Sequence, residues 1–331
     1  MYKINDPIKN IPNFYLKLEK AGQNVKVTDF NDSFYPFTGD PWEEMDDSSL
    51  LDFMPLSNEL PIDTKEIRRV YVPLVRLILE REQSAANSEL DAPTNDLREK
   101  TKPFILGVTG SVAVGKSSTA KIIKALLEVI SFGLVVDVVS TDGFLYPNEK
   151  LAEAGLMLRK GFPESYDYLA IVNFLSTLKT STGVHEAPLY SHTTYNVTNS
   201  KKVLENPDIV IIEGLNTLQD PPQRSGSDDK STVRDHIDFS IFIDADEKNI
   251  RNWHTKRFLD LCSSAATDSS SFFHRFNNLS RREASIEAST IWDSINSPNL
   301  NEHILPTKWK ADAILFKNES HGIEKISLKK E

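Results

Sequence analysis

The stretch Gly110-Ser111-Val112-Ala113-Val114-Gly115-Lys116-Ser117 constrains this chain most, because it satisfies G-x-x-x-x-G-K-[ST] at every fixed position. An apolar run, Phe104-Ile-Leu-Gly-Val-Thr109, precedes it, and Ser118 to Ile130 follows with apolar residues at helical spacing. Strand, glycine-bearing turn and helix form the context in which this pattern means a phosphate cradle. Gly110 and Gly115 permit backbone angles that a Cβ would forbid, so successive N–H groups can converge on a β-phosphate at the positive end of the following helix. Lys116 adds a point charge, and Ser117 supplies the hydroxyl that a phosphate-bound Mg²⁺ takes as one of its hard oxygen ligands.

A chain of 331 residues with 39% hydrophobic content can bury a large α/β core. The net charge of -10 argues against a general nucleic-acid binder, while leaving room for a local basic pocket. Cys262 is the single cysteine, which excludes an intrachain disulfide and fits a reducing compartment. No basic-then-apolar leader opens the sequence and no run approaches 18 apolar residues. The expectation is therefore a cytoplasmic protein without a membrane partner.

Residues 1–55 are polar and aromatic without periodicity, which predicts an irregular N-terminal arm ahead of one domain over 56–331. Asp63-Thr-Lys-Glu66 reads as a helix start, with an apolar face from Val70 to Leu79 and a kink or split at Pro73, so that 62–82 is helical. Gln83 to Lys102 reads as helix end and linker. Leu134 to Ser140 is a second strand that delivers Asp142 to its carboxyl end, where ligands of open α/β sheets sit. A turn-capping Asp is the simpler alternative for that residue. Lys160 to Asp167 is a loop, Tyr168 to Lys179 a helix, and Ala187 to Tyr195 an extended segment in which Tyr190, His192 and Tyr195 gather as donors. Asp208 to Glu213 is a third strand ending in a carboxylate suited to orienting Mg²⁺. Gln219 to Asp235 is a polar surface insertion, and Phe239 to Asp244 is a fourth strand. Lys248 to Leu261 is an amphipathic helix carrying Arg251, Lys256 and Arg257. Ser280 to Ile295 is a further helix, and Ile304 to Thr307, Ala313 to Phe316 and Ile323 to Leu328 read as short strand-like ends.

These blocks, taken in order, resemble the type I, bacterial-type pantothenate kinases, which belong with the uridine kinase and phosphoribulokinase group of P-loop kinases. The resemblance rests on the phosphate loop at 110–117, Thr141-Asp-Gly-Phe-Leu-Tyr-Pro-Asn148, Lys160-Gly-Phe-Pro-Glu-Ser-Tyr-Asp167, Pro188-Leu-Tyr-Ser-His192, Ile211-Ile-Glu-Gly-Leu-Asn216, Arg257-Phe258 and Ile304-Leu-Pro-Thr307. It implies a three-layer α/β P-loop kinase fold, with a mainly parallel central sheet flanked by helices and an acceptor and lid region over 160–300. It also implies ATP- and Mg²⁺-dependent phosphorylation of pantothenate to 4'-phosphopantothenate, the first step toward coenzyme A, by a homodimer subject to feedback inhibition by coenzyme A.

The resemblance further assigns roles. Asp142 would be the base, with Lys116 and Arg257 stabilising charge on the transferring phosphoryl group, and Ser117 with Glu213 would hold the metal. The phosphate loop, Ser118 and His321 would contact the nucleotide. Asp142, Tyr190, His192, Tyr195, His254 and Asn296 would contact pantothenate. The chain departs from the family where His254 stands in place of a usual tyrosine, where Leu261 replaces an aromatic residue, and where Phe272 and Phe276 replace tyrosines. Two other readings stay open on the residues alone: a kinase of the uridine or ribulose-phosphate type, and a nucleotide-binding regulator without turnover.

Overall fold

The computed structural model describes residues 34–37, 63–90, 102–131, 133–221 and 231–330. Apart from Phe34, these belong to the unit Tyr35–Glu331. Nearly all of the N-terminal arm and the middle of the polar insertion lie outside the described residues. Within the arm, Phe34–Phe37 is a strand, β1, where the sequence predicts irregular chain.

Asp63 caps the first described helix by accepting from the Lys65 N–H. One helical turn, Thr64–Glu66, leads into a π-turn, Ile67–Tyr71, and then into α1, Val72–Leu90. Pro73 splits the hydrogen-bond register rather than the helix. The Val72 N–H reaches back to Ile67 O, and the wider turn lies just ahead of the residue that has no N–H to offer. The helix also runs beyond the predicted end at 82: Ala85, Ala86, Glu89 and Leu90 favour it, and no Gly or Pro interrupts the sequence before Pro93.

The buried run predicted ahead of the phosphate loop is β2, Phe104–Gly110, followed by α2, Lys116–Ile130. Then come β3, Val136–Ser140, and α3, Tyr168–Thr180, whose N-cap Asp167 accepts from the Ala170 N–H. The extended segment is one arm of an antiparallel hairpin, β4, Val184–Ser191, with β5, Asn196–Glu205. Sequence periodicity misses β5 because only Leu204 in it is buried, so the strand carries no apolar alternation. Next are β6, Ile209–Gly214, β7, Phe239–Ala245, and α4, Glu247–Ser264.

A capping box between Ser280 and Glu283 starts α5, Arg281–Ile291. The helical path continues through a π-turn at Trp292–Asn296, where the predicted helix ends at Ile295, and beyond it through a second π-turn at Leu300–Ile304. Leu305–Lys310 is then a 3₁₀ helix and not a strand, since Pro306 in its first turn supplies the fixed φ that a helix start accepts. The chain closes with β8, Ala313–Lys317, and β9, Ile323–Lys329.

The sheet order is β1-β9-β8-β7-β2-β6-β3. Strands β3, β6, β2, β7 and β8 run parallel, and β9 turns back antiparallel on β8. Every residue of β2, β6 and β7 is buried, as expected for parallel strands covered on both faces. Helix α2 packs on β2, β3 and β6, and α1 packs on α2, where Tyr71 Oη and Thr119 Oγ1 approach to 3.4 Å. The predicted α/β architecture, a mainly parallel central sheet flanked by helices, is the one observed. Its parallel strands deliver Gly110, Ser140, Gly214, Ala245 and Lys317 to one edge.

One close approach fixes the hairpin against this edge. A Cβ on Gly143 would overlap the Pro188 carbonyl oxygen of β4. Gly143→Ala should therefore destabilise the protein by about 1–3 kcal/mol, the usual scale of overpacking. A fall in thermal midpoint measures it, and an unchanged midpoint would show that the hairpin gives way freely.

Candidate active site

Gly110 has φ of 142° and Gly115 has φ of 97°, both in the left-handed range. An added Cβ at 110 would strike Ile243 O of the neighbouring strand. In the loop between them, the Val114 N–H donates to Ser111 O at 3.5 Å, and the Ser111 hydroxyl is buried without a partner among the described residues. This is a cradle shaped for an anion, and an orphaned hydroxyl within it fits a phosphate oxygen as partner.

Lys116 Nζ donates to Ser111 O at 2.8 Å. Burial lowers the affinity of this ammonium for its proton, the nearby Glu213 and Asp142 carboxylates raise it, and Arg257 lowers it. Ser117 Oγ donates to Glu213 Oε1 at 2.9 Å. Glu213 is 6% exposed, and burial lifts its pKa above the usual carboxylate value, with the charge of Lys116 and the hydroxyls of Ser117 and Ser140 pulling the other way. A hydroxyl beside a single carboxylate suits a hard divalent cation that also keeps phosphate and water ligands.

Asp142 sits on the 3₁₀ turn Thr141–Phe144, where its N–H donates to Ser140 Oγ at 3.4 Å. Tyr166 Oη donates to its Oδ1 at 3.3 Å. Burial and then the Asp142 charge keep the Tyr166 phenol well above its ordinary pKa, so it stays a proton donor to that carboxylate. The strand-end acid of β7 behaves differently, because Asp244 is already paired with Lys308 at 2.6 Å.

The hairpin brings its aromatic donors together as the sequence suggested. Tyr190 stands edge-on to His192 at 5.2 Å and to Tyr195 at 6.1 Å, and Tyr195 stacks on Phe272 at 4.6 Å. Burial lowers the His192 pKa, the Asp142 charge opposes this, and Arg257 and Lys116 reinforce it. Those couplings place the base candidate, the two cations and the hairpin around one space.

His254 and Asn296 meet each other, with Nε2 to Nδ2 at 3.1 Å, and only the charge of Arg257 links them to the cluster. His321 lies elsewhere, stacked on Trp253 at 3.7 Å. Both help bound a cavity of about 1050 Å³ that Ala113, Gly115 and Ser118 of the phosphate loop also line. The cavity thus begins at the phosphate cradle and extends to the His321–Trp253 stack, a flat platform of the kind a base can cover.

Sequence reasoning passed over Lys160 and Tyr166, although both fall in the block 160–167. Lys160 is 9% exposed, donates to Asn148 Oδ1 at 2.7 Å and to Tyr195 O at 2.5 Å, and lies over the Tyr195 ring at 4.2 Å. Burial brings its pKa down to about 8 against the pull of Asp142 and Glu149. The density of functional residue types in that block was the available signal.

The signature of the Phosphoribulokinase / Uridine kinase family matches residues 105–260. Pantothenate kinase from Bacillus velezensis is 43% identical over 273 residues, covering 81% of this chain and 86% of that protein. Pantothenate kinase from Brucella abortus strain S19 is 46% identical over 278 residues, covering 82% of this chain and 85% of that protein. Among solved structures, a protein described as a fructose transport system kinase from Silicibacter sp. TM1040 superposes with a TM-score of 0.52 at 22% identity, covering 72% of this chain and 97% of that one, a likeness of fold.

Burial, then Arg257, brings the His254 pKa down to about 4 from an ordinary 6.5. The unfolded chain takes up a proton that the folded ring refuses, so this residue contributes stability above about pH 6.5 that is lost as pH falls toward 4. Ring signals of His254 followed by NMR should show no inflection between pH 5.5 and 8; an inflection near 6.5 would contradict the buried, neutral imidazole.

Proposed function

This chain belongs to the pantothenate kinase family, and on that premise we propose that it transfers the γ-phosphoryl group of ATP to the primary hydroxyl of pantothenate. The product is 4'-phosphopantothenate, on the path to coenzyme A. The observation that carries this reading is the identity of 43% and 46% to pantothenate kinases along more than four-fifths of the chain.

Phosphoryl transfer depends on positioning and charge, and the residues at the strand ends supply both. Asp142 accepts the proton of the attacking hydroxyl, held in place by the Tyr166 phenol. Lys116 leaves Ser111 O for phosphate oxygens, and Arg257 adds positive charge from α4. Ser117 and Glu213 would hold Mg²⁺, which when bound neutralises the β- and γ-phosphates. Tyr190, His192 and Tyr195 orient the acceptor from the hairpin, and His254 with Asn296 bounds it from the helices. The His321–Trp253 platform takes the adenine, beside phosphates held by residues 110–118.

A neutral His254 in place of a tyrosine keeps a hydrogen-bonding edge but removes the phenol's reach. Coenzyme A inhibition, homodimerisation and a cytoplasmic setting extend the same family reading. Among the described residues, no helix is long and apolar enough to cross a membrane.

Two measurements test the reaction. ADP release from MgATP should depend on pantothenate and not on uridine or ribulose 5-phosphate, with the product identified by mass. Asp142→Ala and Lys116→Ala should each lower kcat by at least about 10²-fold, the scale of a lost acid–base or charge-stabilising group, with circular dichroism unchanged. Wild-type turnover in Asp142→Ala would remove it from the role of base.

A further inference from the structure

Lys317 ends β8 at the same carboxyl edge as the phosphate cradle, yet nothing in the proposed reaction employs it. It is 5% exposed. Among the described residues no carboxylate lies within ion-pairing distance of its ammonium and no hydrogen bond to it is made. The carboxylate whose charge reaches it, Glu66, is half-buried, has its pKa raised by desolvation, and already accepts from the Ile323 N–H. A buried ammonium without a close counter-charge is costly unless an anion completes it.

Its position says where that anion comes. Lys317 Nζ would stand 2.7 Å from a Cβ on Gly115, so the ammonium rests on the bare face of the glycine that precedes Lys116. It lines the 1050 Å³ cavity together with Gly115, Ser118, Trp253 and His321, between the phosphate cradle and the aromatic platform. Burial has brought its pKa down to about 8, as expected of a cation awaiting compensation. Lys116 holds its own ammonium on Ser111 O.

We infer that Lys317 is a second phosphate-binding lysine, contributed by β8 and not by the phosphate loop, which contacts a phosphate of the nucleotide beside Gly115. The inference rests on the proposed nucleotide-binding reading and assigns a binding residue that the motif does not contain. It also gives Gly115 a further constraint, since any side chain there would displace the ammonium as well as strain the turn.

The test is Lys317→Met in the full-length protein, read by calorimetric binding of ADP and of adenosine alongside the ligand-free melting temperature. Methionine keeps the length of the side chain and removes a buried, uncompensated charge, so the ligand-free protein should melt no lower than wild type. ADP should bind about tenfold or more weakly, the usual loss for a charge-assisted contact, while adenosine binding is unchanged. Equal losses for ADP and adenosine, or no loss for either, would overturn the assignment. Should the variant melt lower, Lys317→Gln measured in the same way decides by the same ADP-to-adenosine ratio. If wild type itself binds neither ligand, the nucleotide-binding reading fails first, which keeps the two failures distinct.

Discussion

The interaction on which the site depends is that of the Lys116 ammonium with the carboxylates of Glu213 and Asp142 at the ends of three parallel strands. The ammonium is desolvated, Glu213 is 6% exposed, and each eases the cost of the other. The register of β2 between β6 and β7, with Thr109 beside Gly214 and Gly110 beside Ile243, is what brings them together. A slip in that register would separate the cation from its counter-charges and break the packing of strands that are buried along their whole length. Charge placement and sheet register therefore specify one another.

Much of this was legible in the sequence because it lay in short, contiguous patterns. The phosphate loop between an apolar run and an amphipathic stretch fixed β2 and α2 to within a residue or two, and strand-end carboxylates identified Asp142 and Glu213 as facing one crevice. What could not be read depends on long-range burial. Nothing local distinguishes Lys317 from the surface lysines around it; it is set apart by what the fold stacks over it. The strand β5 was hidden because it buries only Leu204, and the helical path beyond Ile295 was hidden because π-turns obey no simple period. Asn296 and His321 came only through resemblance, since a lone Asn or His carries no spacing signal.

The side proposed for the acceptor and the side proposed for the nucleotide are built from different materials. On the acceptor side, a hairpin with a largely exposed outer face is held by one buried lysine, which bridges Asn148 and Tyr195 O, and by the stacking of Tyr195 on Phe272. Tyr195 adopts φ of 53°, a left-handed conformation that costs a non-glycine residue of order 1–3 kcal/mol and persists because these contacts over-determine it. On the nucleotide side, rigid strand ends carry the cations, and the His321–Trp253 stack closes the far end of the cavity.

The contact between Gly143 and the Pro188 carbonyl couples these two halves mechanically. The turn that carries Asp142 and the strand that carries Tyr190 touch backbone to backbone, with no side chain between them to act as a spacer. The hairpin cannot swing to admit a bulkier acceptor without pushing the carboxylate out of line. Divergence toward new acceptors within such a scaffold is therefore channelled into side-chain replacement around a fixed backbone. Position 254, on a helix outside that contact, is the sort of place the architecture leaves free to change.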